Sequence, residues 1–162
     1  MSVEVTPRGT RGFKPPRLPG PIMAAITGGG LLAHRILGDR MRVQGRPLLL
    51  LHTVGARSGR TRTTMLGWFP DATDQGWLVV ASFAGAARHP AWFLNLAANP
   101  DRVWVEIRGR KVRVRPASLT GADRADAWQR VVTLAPGYAN YQLKTDREIP
   151  IVRLTPIEEA GS

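Results

Sequence analysis

The chain has 162 residues, 43% of them hydrophobic, which is typical of one soluble globular domain with a sizeable core. It contains no cysteine, which excludes disulfides, thiolate catalysis and thiolate metal sites. The formal net charge is +11, from 23 basic and 12 acidic residues, so the surface attracts an anionic partner such as nucleic acid, anionic lipid or an acidic ligand.

The N-terminal part of the chain predicts a flexible arm followed by a helical segment. Residues 1–20 are rich in Pro and Gly, carry four basic side chains and predict a loosely attached arm. Residues 21–46 predict one or two short helical pieces, broken at the triple glycine 28–30. This segment is too interrupted to span a membrane, since about 20 mostly apolar residues are needed. Peripheral contact with a membrane surface through residues 1–38 remains open.

The rest of the chain predicts short strands with inserted helices, over residues 47–157, and a tail at 158–162. The predicted strands are 48–54, 63–69, 77–82, a hairpin over 103–115, and 149–154. Helices are predicted over 91–98 and after a capping box at 120–123, with Ala125, Trp128 and Val132 on one face. About six antiparallel strands indicate a mainly β, α+β fold: a small barrel decorated by helices.

The segment GARSGRTRTT at 55–64 is the strongest candidate for an anion site. It holds three arginines, one serine, three threonines and two glycines. Glycines let a ligand approach the backbone, and guanidinium groups, hydroxyls and backbone N–H groups bind phosphate oxygens. The spacing matches neither a Walker A loop nor a hydrolase elbow. A solvated turn with scattered charge is the alternative.

The remaining polar residues do not form a catalytic set. Ala81–Gly85 and the segment after His89 could enclose a flat ring or simply connect a strand to a helix. The three histidines lack metal-ligand spacing, so no metal site is predicted, and His52 lies in an apolar strand as a structural residue. No Ser/His/Asp arrangement or carboxylate pair is evident. If the chain is an enzyme, a cofactor should carry the reaction.

Three blocks of residues occur in an order that resembles a known family. They are GARSGRTRTT at 55–64, then VVAS at 79–82 with Gly85 and HPAWFLNL at 89–96, then YANYQLKTDREIP at 138–150. Together they resemble the deazaflavin-dependent nitroreductases, also called F420-dependent quinone reductases, over roughly residues 46–156. The chain departs from the family pattern at Ala84, where glycine is common, and at Ala135, where some members have tyrosine.

The resemblance implies a split β-barrel of the flavin- and deazaflavin-binding type that uses coenzyme F420. The reaction would pass a hydride from reduced F420 to a small organic acceptor such as a quinone, enone or nitro compound. The cofactor's phosphate and acidic tail would be held by Arg57, Ser58, Gly59, Arg62, Thr63 and Thr64. The deazaflavin ring would lie on Ala81, Ser82, Phe83 and Gly85, closed by Ala91 and Trp92. The candidate catalytic residues are Tyr138, Tyr141 and Ser82.

Other functions compete with this one. The chain could be a non-catalytic F420 carrier or an FMN-binding split-barrel reductase. We expect F420 rather than FMN because the three arginines of the 55–64 segment provide more positive charge than the single terminal phosphate of FMN requires. A nucleic-acid-binding barrel is suggested by charge alone and lacks a recognised motif, so no nucleic-acid partner is expected. A cytoplasmic location is expected, with the inner face of the membrane left open; the oligomeric state is not predicted.

Overall fold

The computed structural model describes residues 2–37, 42–43, 46–73 and 76–157. The helices are α1 (Gly20–Leu37), α2 (Ala91–Ala98), α3 (Gly121–Leu134) and α4 (Gly137–Lys144). The strands are β1 (Arg42–Val43), β2 (Arg46–Val54), β3 (Thr61–Gly67), β4 (Phe69–Pro70), β5 (Trp77–Val80), β6 (Trp104–Ile107), β7 (Arg110–Ser118) and β8 (Ile151–Pro156). The predicted tail at 158–162 lies outside the described residues, as do 38–41 and 44–45 of the predicted helical segment.

The strands form one curled antiparallel sheet. Its order is β1-β2-β6-β7-β8-β5-β4, and β3 pairs with β2 off this path. The β2–β3 register runs from Leu48 opposite Gly67 to Val54 opposite Thr61. The sheet confirms the predicted α+β fold with antiparallel strands. Eight strands replace the predicted six because β1 and β4 are two-residue pieces without a recognisable hydrophobic period.

Helices cover the sheet and create two buried clusters. Successive residues of β5 enter different clusters: Val79 packs with α2 and β2, and Leu78 packs with α3. Of the expected apolar face of α3, Trp128 packs against the buried cluster, but Ala125 is exposed and the fully buried residues are Ala127 and Val131. Helix α3 also begins without the predicted side-chain capping hydrogen bond.

Helix α1 is continuous through the triple glycine, where a break was expected. A methyl group added at Gly30 would lie 3.1 Å from Cε of Met65, so a side chain at this position would crowd β3. Each helical glycine costs about 1 kcal/mol relative to alanine. No described helix is long and apolar enough to cross a membrane.

The basic arm makes more contacts with the sheet than its composition predicts. The N–H of Gly9 donates to Ala87 at 2.7 Å, and that of Phe13 donates to Gly85 at 2.9 Å. The carboxylate of Asp146 accepts the N–H of Thr10 at 2.8 Å. Composition cannot show the first two contacts because they join backbone groups, which every sequence carries.

Candidate active site

A groove of about 310 Å³ opens at the carboxyl ends of β3 and β5. It is lined by Met65, Leu66, Gly67, Val80, Ser82, Phe83, Pro90, Trp92 and Tyr138. Four of the predicted site residues therefore meet here: Ser82, Phe83, Trp92 and Tyr138. Met65, Leu66, Gly67 and Val80 were missed, since residues at a strand end look the same whether they face a core or a groove, and Pro90 belongs to the segment that was expected to enclose a flat ring or simply to connect a strand to a helix.

Three further predicted residues, Ala81, Gly85 and Ala91, lie around the groove without lining it. Ala81 is fully buried, and Ala91 is exposed at the start of α2. Gly85 has φ +82°, and a Cβ there would lie 2.6 Å from the carbonyl oxygen of Tyr141. Glycine is therefore needed at 85 for the turn to pack on α4.

The turn after β5 holds two consecutive non-glycine residues in the left-handed region. Ser82 has φ −74° and ψ −38°, Phe83 has φ +44°, and Ala84 has φ +53°. Such conformations persist only where the surroundings fix them, and they often occur at functional sites. Ala84, where the family pattern commonly has glycine, therefore adopts a backbone conformation that glycine would adopt without strain.

A buried arginine supports this turn from behind. Arg147 is 1% exposed. Its guanidinium donates to the carbonyl oxygens of Ala81 at 3.0 Å, Ser82 at 2.9 Å and Ala86 at 3.0 Å. Burial lowers the pKa of the Arg147 guanidinium below its ordinary value. The sequence block contained this residue, but nothing in the sequence showed which carbonyls it would reach.

His89 extends the same network to the arm. Its Nε2 lies 2.7 Å from the carbonyl oxygen of Thr6, and its Nδ1 lies 3.1 Å from Nη1 of Arg147. Burial lowers the pKa of His89, the nearby Arg147 charge lowers it further, and the Thr6 hydrogen bond partly opposes both. His52, in contrast, contacts Thr63 at 2.9 Å and Glu106 at 3.0 Å, which agrees with its expected structural role.

Two tyrosines stack at the side of the groove formed by α4. The rings of Tyr138 and Tyr141 meet edge to face at 5.4 Å, and Tyr138 packs likewise on Phe69 at 5.5 Å. Burial raises the pKa of Tyr138 above 10.0, Tyr141 raises it further, and Arg46 partly opposes the rise. Tyr138 therefore keeps its hydroxyl proton throughout the neutral range.

The arginine loop lies between β2 and β3. Gly59 has φ +69°, which favours glycine, and a Cβ at Gly55 would collide with Oγ of Ser58. Asn95 of α2 fixes the loop by accepting the N–H of Ala56 at 3.0 Å. Its neighbour Asn99 donates to the carbonyl oxygen of Val54 at 3.3 Å. Both asparagines hold the loop against α2, and no sequence pattern indicated this role.

The loop presents guanidinium groups without protein counter-ions. Arg57, Arg60 and Arg62 are exposed, and within the described part of the chain none forms an ion pair. Side chains alternate along a strand, so Arg62 and Thr64 share one face of β3, and Thr63 lies on the other with His52. The structure thus separates Thr63 from the other members of the predicted tail site.

Comparison with known proteins identifies the class of protein to which this fold and groove belong. An F420-H2-dependent reductase (FDR-A) of known structure superposes with a TM-score of 0.59 and 35% identity, over 67% of this chain and 94% of that one. A protein solved as a domain-swapped dimer has the same TM-score and 32% identity, over 80% of this chain and 98% of its own. The chain is thus a split-barrel oxidoreductase of the deazaflavin-dependent class.

The family follows from the sequence comparison. The model of the F420H(2)-dependent quinone reductase family matches residues 35–156. An F420H(2)-dependent quinone reductase of Mycobacterium tuberculosis is 40% identical over 129 residues, which are 78% of this chain and 80% of that protein. The chain belongs to this family. Its cofactor is coenzyme F420, which confirms the predicted cofactor and class of enzyme.

Proposed function

We propose that the groove at the ends of β3 and β5 holds the deazaflavin ring while the exposed arginines hold the cofactor's acidic tail. One relationship carries the proposal: both regions use the same strand. Arg62 and Leu66, which lines the groove, lie four residues apart on the same face of β3, which is about 13 Å at 3.3 Å per residue. A cofactor whose ring and phosphate are joined by a short chain can therefore contact both.

The groove and the loop fit the cofactor in shape and charge. A volume of about 310 Å³ lies at the lower end for small-molecule sites and suits one flat ring system. Pro90 and Trp92 form an apolar wall on one side, and Ser82 provides a polar group on another. The unpaired guanidinium groups suit a phosphodiester followed by several carboxylates.

Bound reduced F420 supplies a hydride to the acceptor, for which we propose a quinone. The protein's part is to align ring and acceptor and to keep water from the groove. Tyr138 and Ser82 both line the groove and both carry a hydroxyl proton. We assign Tyr138 the donor role toward the acceptor oxygen, and Ser82 the role of orienting the ring. Tyr141 supports Tyr138 through the edge-to-face contact.

The test combines binding and turnover on the full chain. We expect calorimetry to show tight binding of F420 and weaker binding of FMN. We also expect reduced F420 to be oxidised only when a quinone is added. Tight binding without turnover of quinone, enone or nitro acceptors would make the protein a carrier. Tighter binding of FMN would move it to the flavin-dependent barrels.

Helix α1 is the proposed route by which an apolar acceptor reaches the groove. It exposes Ile22, Met23, Ile26, Leu32, Ile36 and Leu37, and at Gly30 it lies against Met65 of the groove. We propose that this apolar surface and the basic arm contact an anionic membrane surface. Co-sedimentation with anionic vesicles should weaken in Ile26→Glu/Leu32→Glu. The same change at exposed Leu134 of α3 serves as the control.

A further inference from the structure

Arg147 is a buried cation without a carboxylate partner. Its side chain is almost inaccessible to solvent, and no described Asp or Glu forms a salt bridge with it. Burial of a charge is unfavourable unless hydrogen bonds compensate for the lost water. Here the compensation comes from three carbonyl oxygens and one imidazole nitrogen.

These partners surround the strained turn. Ala81 precedes it, Ser82 begins it, and Ala86 follows it, so one guanidinium joins the two ends of the turn. The planar guanidinium directs several N–H groups at fixed angles, which an ammonium group cannot reproduce. The side chain thus matches the task of holding Phe83 and Ala84 at positive φ.

The conformation of the turn also bears on the groove. An αR residue followed by a residue of positive φ directs successive backbone N–H groups toward a common point, where they bind anions or carbonyl oxygens. Ser82 and Phe83 have this sequence of conformations, and both line the groove. The N–H groups of Phe83 and Ala84 make no hydrogen bond to the part of the chain that the structure describes.

We propose that Arg147 is a positioning residue for the cofactor ring. Its guanidinium fixes the Ser82–Gly85 turn so that backbone N–H groups receive a ring oxygen or nitrogen that carries negative charge. The buried cation behind the turn adds positive potential, which favours the anionic form of the bound ring. This inference rests on the proposed location of the ring, and it assigns a role to a residue that does not itself touch the groove.

The experiment compares Arg147→Met and Arg147→Lys with the control Arg153→Met. Arg153 is also mostly buried, but it pairs with Asp71 at 2.6 Å, and neither residue lines the groove. Melting temperature, F420 affinity by calorimetry and the pH titration of the bound oxidised chromophore by absorption are measured on each. All variants should melt at lower temperature than the parent chain.

Only the Arg147 variants should change the cofactor site. We expect Arg147→Met to bind F420 about tenfold more weakly or worse and to raise the pKa of the bound chromophore. Arg147→Lys should retain the charge, so it should shift the chromophore pKa less than Arg147→Met. If Arg147→Met does not fold, Arg147→Lys provides the test. An ammonium group cannot reproduce the hydrogen bonds of the guanidinium, so this variant should weaken F420 binding although it keeps the charge.

The outcomes separate the two proposals. Unchanged F420 affinity and chromophore pKa in a folded Arg147 variant would overturn the positioning role. A chromophore pKa shifted equally by Arg153→Met would also overturn it, because the effect would then be general loss of structure. If the parent chain itself does not bind F420, the proposed function fails instead.

Discussion

Nη1 of Arg147 lies 3.1 Å from Nδ1 of His89, and both side chains are buried. A guanidinium only donates hydrogen bonds, so Nδ1 must accept and carry no proton. The other ring nitrogen faces the carbonyl oxygen of Thr6, which only accepts, so Nε2 carries the proton. The partners therefore assign His89 as neutral, in one tautomer.

Acidification should destabilise the protein through His89. Its pKa is lowered on folding from 6.5, so as the pH falls below that value the unfolded chain takes up the proton first. The contribution of His89 to the free energy of unfolding should be fully present above pH 6.5 and should be lost as the pH falls below it. Urea unfolding at about pH 7, 6 and 5 measures this slope. His89→Gln can keep both hydrogen bonds without titrating, and persistence of the full slope in that variant would contradict the assignment.

The arginine loop should control cofactor affinity. Arg62→Ala should weaken F420 binding by about 1.5–3 kcal/mol, the range for hydrogen bonds to charged groups. Arg57→Ala should act similarly, or less if Arg57 meets only the solvated tail. Calorimetry at low and high salt should show the difference shrinking as salt rises. The exposed Arg115 of β7 provides a matched control, and equal effects at Arg115 and Arg62 would indicate net charge rather than a site.

Removal of the Tyr138 hydroxyl should slow turnover without weakening cofactor binding. Tyr138→Phe keeps the ring contacts with Phe69 and removes the proton, so kcat with a quinone should fall by about 10²-fold, the lower end for a general acid. Tyr141→Phe should have the smaller effect because Tyr141 does not line the groove. Steady-state rates and F420 affinity on both variants check this. Unaltered kcat in both and in the double variant would leave the proton to Ser82 or to solvent.

Asp146 should hold the arm in place. Hydrogen bonds from Thr10 and Arg11 lower its pKa from 3.8 to about 2, so the carboxylate stays charged until strongly acidic pH. Its contribution to attachment is present above pH 3.8 and is lost as the pH falls toward about 2. In Asp146→Ala, trypsin should cut the arm faster than in the parent chain. The exposed Asp126 is the control, and equal cleavage in both variants would show that the arm is held by other contacts.

A substitution by glycine should stabilise the protein at position 84 and destabilise it on the exposed face of α3. Ala84 has φ +53°, which costs an alanine about 1–2 kcal/mol, while the added freedom of the unfolded chain offsets about 0.4–1 kcal/mol. Ala84→Gly should therefore raise the free energy of unfolding by about 0.5–1 kcal/mol. Ala125→Gly, on the exposed face of α3, should lower it by about 1 kcal/mol. The opposite signs, read from urea midpoints, distinguish local strain from the general effect of glycine.

Much of the fold could be predicted because its signals are local. The apolar run of β2, the alternation in β6 and β7, and the Pro and Asn boundaries of α2 each determine one element. The prediction failed for α1 and for the buried face of α3. In α3, packing with Leu78 and Ile149 rather than local spacing determines which residues are buried.

The site was only partly predictable, for the same reason. The arginine loop is contiguous in sequence, so its composition indicated an anion site. The groove joins β3, β5, α2 and α4, and no sequence pattern connected Met65 of β3 with the segments that hold Ser82 and Pro90. Arg147 and His89 form hydrogen bonds with backbone carbonyl oxygens, whose positions are set only when the chain has folded.

The contacts of Arg147 with the turn and with His89 span 58 to 66 residues of chain, and the contact of Asp146 with Thr10 spans 136. Both the arm and the 81–86 turn leave the ribosome long before their partners are synthesised. A nascent chain that ends before residue 147 contains Ser82, Phe83 and Trp92, but it lacks the Arg147 guanidinium that forms hydrogen bonds with both ends of the turn. Closure of such distant contacts is slow compared with local folding. On the proposed placement of the ring, cofactor binding must therefore wait until residue 147 has been synthesised.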